Sequence, residues 1–80
     1  MERLKLKGAY EEKRMHSQEL AARAAGIIRA LRDLAMPAAI TPLSGIKTEE
    51  IKEFSTLLHE IKTQYVQLVN EMAELKEEIG

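Results

Sequence analysis

The chain has no cysteine and no tryptophan, and aromatic residues make up only 4% of it. Without cysteine there can be no disulfide, thiolate metal site or cysteine nucleophile. The four glycines (Gly8, Gly26, Gly45, Gly80) are scattered, so no glycine-rich loop can cradle a phosphate. Neither G-x-S-x-G nor H-E-x-x-H occurs. No apolar run approaches the roughly 20 residues that span a bilayer. The charged stretch Met1-Glu2-Arg3-Leu4-Lys5-Leu6-Lys7 lacks the apolar centre of a signal peptide. Nor is there an excess of either charge: 12 Lys+Arg against 13 Asp+Glu leave a net charge of -1. The expectation is a cytoplasmic chain that does not seek polyanions as a whole.

What remains is 45% apolar and 31% charged in 80 residues, the composition of long aliphatic helices. A chain of this size is one small domain whose core leaves little net stability, so it gains from oligomerisation.

Pro37, Pro42 and the Ser44-Gly45 pair mark residues 36–47 as the one substantial loop. The segments on either side read as helices over about 4–35 and 48–79. In the second, Ile51, Phe54, Leu58, Ile61, Tyr65, Leu68, Met72, Leu75 and Ile79 alternate steps of 3 and 4. This is a heptad seam, with a at 51, 58, 65, 72 and 79 and d between them. It would run about 43 Å at 1.5 Å per residue. Thr48 is the expected N-cap, with Glu49 and Glu50 in the first turn. The first helix carries Leu20, Ala24, Ile27, Leu31 and Leu34 on its seam, which continues backward through Ser17, Lys13, Tyr10 and Leu6. Its start is open between a cap at Gly8, a helix from near Glu2 and a short strand in the alternating Leu4-Lys5-Leu6-Lys7, and a frayed helical start is favoured.

The expected fold is all-α: an antiparallel two-helix hairpin, coiled-coil-like, dimerising into a four-helix bundle. Pairing residues whose numbers sum to 85 sets each a against a d, from Leu34 with Ile51 to Leu6 with Ile79. Charge agrees with this orientation. Residues 1–40 hold eight basic and five acidic side chains (+3), and residues 41–80 hold four and eight (-4). The basic cluster Arg3, Lys5, Lys7, Lys13 and Arg14 then lies beside Glu71, Glu74, Glu77 and Glu78.

Apolar residues also lie off the seams. Ala21, Ile28, Ala35, Leu57, Val66 and Val69 form a candidate oligomer interface, because a stripe wider than a/d is typical of a helix inside a larger bundle. Met36, Ile40, Leu43 and Ile46 make the loop unusually apolar. They are expected to fold over the bundle end as a plug, with a docking tip as the alternative.

His16 and His59, the only imidazoles, fall at different levels of the register, so no metal site is expected. The carboxylates sit at solvated heptad flanks, and none is isolated in an apolar pocket as acid–base catalysis requires. No enzyme activity, cofactor, membrane or small-molecule ligand is expected. The expected partner is a second copy or another helical protein. An alternative is a nucleic-acid-associated regulator using the basic N-terminal stretch, although this lacks interleaved aromatics.

The helix–proline-loop–helix layout resembles that of type III secretion needle subunits, which would imply a filament. Those subunits carry their two prolines in a tight polar loop, whereas here Pro37 and Pro42 are wider apart in apolar surroundings. Ser17-Gln18-Glu19-Leu20 is similar to the S-Q-E-L-D stretch of small sporulation phosphatases, with Ala21 in place of the aspartate. The layout is also similar to small helical-hairpin proteins of bacterial prophages. The likeness lies in Leu4-Lys5-Leu6-Lys7-Gly8-Ala9-Tyr10-Glu11, in Arg29-Ala30-Leu31-Arg32-Asp33-Leu34 before the proline, and in the Glu-rich end at Gly80. That resemblance implies the fold and no activity.

Overall fold

A computed structural model describes residues 2–36 and 42–80. Two helices pack against each other along their length, α1 over Glu2–Ala35 and α2 over Thr48–Ile79. The result is a rod of 62 × 14 × 14 Å with a radius of gyration of 18.1 Å. A compact chain of 80 residues would measure about 12 Å. The rod shape follows from the chain having one long seam and no second layer to fold back on it.

α1 continues unbroken through Gly8 and Gly26, and a Cβ added at either would meet nothing within 4 Å. Both glycines therefore weaken a helix interior without a packing reason. Gly8→Ala and Gly26→Ala are each expected to stabilise the hairpin by about 1 kcal/mol, read as a shift in the urea midpoint. A destabilised variant would show contacts that the hairpin lacks.

α2 starts one residue away from the expected cap. Lys47, not Thr48, is the N-cap, with no side-chain cap hydrogen bond, and Thr48 is already helical. The reason is the turn before it. Pro42 leads into a 3₁₀ turn at Leu43–Gly45, where Gly45 N–H donates to Pro42 C=O at 2.8 Å. The chain leaves that turn extended, so the first helical bond runs from Ile51 N–H to Lys47 C=O at 3.1 Å. Glu49 and Glu50 lie in the first turn and Arg32 in the last turn of α1, each favourably placed in the helix dipole.

The expected plug does not form from the described loop residues. Met36 is 68% and Leu43 83% exposed, and only Ile46 is half-buried. Ile40 and Pro37 lie outside the described residues.

Candidate interaction surface

The least exposed positions follow the heptad seam. Leu20 (1% exposed) and Ile61 (4%) are the buried apolar side chains among the described residues. Ala24, Ile27, Leu31, Leu34, Ile51, Phe54, Leu58, Leu68, Met72 and Leu75 are half-buried. Tyr65, expected in the core, is instead exposed. It lines an open groove between the helices, where a phenol keeps its hydroxyl wet because no buried partner is offered.

The two polar interruptions of the α1 seam are resolved in different ways. Lys13 reaches across, its Nζ donating to Glu71 Oε2 at 2.7 Å. The numbers 13 and 71 sum to 84, one short of the register drawn from the seams. Ser17 is buried, and its Oγ donates to the Arg14 carbonyl in the preceding turn at 2.7 Å. That bond is satisfied within one helix and contributes nothing between helices. Ser17→Ala is therefore expected to stabilise by about 0.5 kcal/mol through helix propensity. The midpoint of thermal unfolding should rise by about 2–4 °C, and a fall would mean that the hydroxyl holds the helices together.

Glu71 lies below its ordinary value of 4.5 because Lys13 donates a hydrogen bond to it, followed by Gln67. A carboxylate depressed by folding contributes stability above its unfolded value. That contribution is lost as the pH falls from 4.5 through the lower folded value. The stability difference between the wild type and Lys13→Met should therefore shift against the wild type between pH 6 and pH 3. Urea midpoints at the two pH values read this directly, and a pH-independent difference would dissolve the linkage. The wider basic–acidic cluster expected at this end is not drawn together. Among the described residues, Lys13–Glu71 is the one ion pair joining the helices, while Arg14 turns back to Glu11 at 2.9 Å.

Outside the seam the hairpin has two dissimilar flanks. One side carries an open groove of about 310 Å³, lined by Ala21, Ala25 and Ile28 of α1 and by Lys62 and Tyr65 of α2 around the seam. The small alanines open this groove between the helices. Val69 lies seven residues from Lys62 on the same stripe, with Val66 between them, and both are exposed. The other side has a smaller groove of about 220 Å³, lined by His16, Gln64, Gln67 and Glu71. Leu57, 42% exposed, lies seven residues from Gln64 and so belongs to this second flank. The six residues expected to form one interface therefore divide. Ala21, Ile28, Ala35, Val66 and Val69 share one flank, and Leu57 occupies the other.

Charge divides in the same way, which the apolar pattern alone does not reveal. On the grooved flank (heptad positions e and b) stand Lys7, Arg14, Arg32, Lys52, Lys62 and Lys76, with Glu11 as the sole acid among the described side chains. On the Leu57 flank (positions g and c) stand Glu12, Glu19, Asp33, Glu50, Glu53, Glu60, Glu71, Glu74 and Glu78, against Lys5 and Arg23. Every lysine of α2 is on the first flank and no glutamate of α2 is. The signal was present in the sequence: assigning heptad letters to the charged residues, and not only to the apolar ones, separates them.

His16 and His59 are exposed on opposite flanks, and no group of three or more metal-ligating side chains converges among the described residues. No described helix is long and apolar enough to cross a membrane. Compared with protein-family models, curated proteins and solved structures, the chain matches none.

Proposed function

We propose that this chain is a non-enzymatic helical assembly module of the cytoplasm, acting by self-association, with docking to another helical protein as its variant form. One observation carries the reading. A groove with exposed apolar side chains from both helices runs along a hairpin whose described residues bury only Leu20 and Ile61 as apolar core. Such a hairpin buries too little surface to be comfortable alone, and a helical surface laid on the groove removes that deficit. The simplest product is a homodimer forming a four-helix bundle. All the described carboxylates lie on exposed faces except the half-buried Glu71, which is already held by Lys13, and this supports the non-enzymatic reading.

The nucleic-acid alternative, built on Arg3, Lys5, Lys7, Lys13 and Arg14, loses two of its five cations to intrachain pairs, Lys13 to Glu71 and Arg14 to Glu11. Co-purification tests the proposal. When tagged and untagged copies of this chain are expressed together, the untagged copy should be retained with the tagged one. Its complete absence from the eluate would refute self-association.

A further inference from the structure

We infer that copies of this chain associate heterologously, the basic, grooved flank of one hairpin seating on the acidic flank of the next. The inference rests on self-association and specifies its geometry. A two-fold dimer through the grooved flank would press that flank, with six cations to one acid, against its own copy. Like charges brought together across an interface oppose it. The complement to that flank is on the chain itself, since its opposite flank holds nine acids to two cations.

The heights match as well. When a second hairpin is stacked on the first in parallel and without axial shift, α2 of one copy lies over α2 of the next. Lys52 then stands beside Glu53 of the neighbour, Lys62 beside its Glu60, and Lys76 within a turn of its Glu74 and Glu78. Ile28 and Leu57 are opposed in the sum-85 register, so they sit at one level of the rod on opposite flanks, both exposed. Stacking brings Ile28 of one copy and Leu57 of the next to the same level inside the contact. Leu57 stands between Glu53 and Glu60, at the i-4 and i+3 positions of the same helix, so the apolar level is bracketed by the Lys52–Glu53 and Lys62–Glu60 pairs between copies.

The exposed area agrees. The chain exposes 6427 Å², whereas a compact chain of 9.1 kDa exposes about 4,900 Å². The surplus of about 1,500 Å² is close to two standard faces of about 800 Å² each, one per flank. A heterologous contact leaves one flank of each kind free at the ends of a pair, so association continues into a ring or a filament.

Sedimentation velocity on two variants tests this. Lys52→Glu/Lys62→Glu reverses the α2 charges of the basic flank, and Glu53→Lys/Glu60→Lys reverses those of the acidic flank. All four side chains are exposed, and circular dichroism verifies that the hairpin is intact. Each variant alone should associate at least tenfold more weakly than the wild type, and an equimolar mixture should recover assembly by alternating the two. If Glu53→Lys/Glu60→Lys retains the wild-type mass, the acidic flank is not in the contact. A two-fold dimer through the groove then replaces the heterologous one, and self-association itself stands. A wild type that never exceeds 9.1 kDa overturns both.

Discussion

Leu20→Ala should lower the stability of the hairpin by about 3 kcal/mol, which for a chain of this length moves the thermal midpoint down by roughly 12–24 °C. Leu20 is 1% exposed and, with Ile61, is one of the two buried apolar side chains among the described residues. Its truncation leaves a void that helices joined at one end cannot easily close. The whole folding free energy of a domain this size is only about 4–12 kcal/mol, so one side chain decides a large part of it. Leu4 provides the control. It is 72% exposed, and Leu4→Ala should change stability by no more than about 0.5 kcal/mol. Thermal melts followed at 222 nm compare the two. Equal losses would mean that the seam does not hold the hairpin together.

Ile28→Glu and Leu57→Lys should each leave the hairpin helical and abolish self-association. Ile28 is 54% and Leu57 42% exposed, so neither substitution buries a charge within the single hairpin. Between copies the situation reverses. The carboxylate introduced at position 28 would be pressed against an acidic flank, and the ammonium introduced at position 57 against a basic one. Each would be desolvated without a partner. An unpaired charge in an interface costs upwards of about 3 kcal/mol, which weakens association by roughly 100-fold or more. The two substitutions separate the two geometries. If the contact were a dyad through the groove, Leu57→Lys would leave it intact. An unchanged mass for both would remove this surface from consideration.

Much of the hairpin was legible in the sequence because a 3-4 alternation sustained from Ile51 to Ile79 has only one physical use, a seam along a helix. The antiparallel register was legible too, since matching a to d leaves few choices, and Lys13 meets Glu71 within one residue of it. Three features escaped for identifiable reasons. The cap of α2 fell on Lys47 because the turn after Pro42, not side-chain propensity, sets where the helix can begin. Tyr65 occupied a seam position by spacing, but the groove beside it stays open and its hydroxyl finds no buried partner, so it is exposed. Met36 and Leu43 were apolar enough to suggest a plug, yet both are exposed, and Ile46 is the one half-buried side chain among the described loop residues.

The candidate surface was half legible. The apolar surplus off the seams was plain, but a list of exposed apolar residues carries no sidedness. Only when α1 and α2 are laid side by side do Ile28 and Leu57 fall on opposite flanks, and only then does the separation of lysines from glutamates along α2 acquire a meaning. Charge patterns on a single helix read as a solvated face. On a hairpin, the same pattern becomes a polarity across the rod.

Static light scattering across a concentration series measures the central claim most directly. The expected result is a mass of at least twice 9.1 kDa that rises with concentration as flanks continue to join. A mass of 9.1 kDa at every concentration, with the helices intact, would contradict self-association.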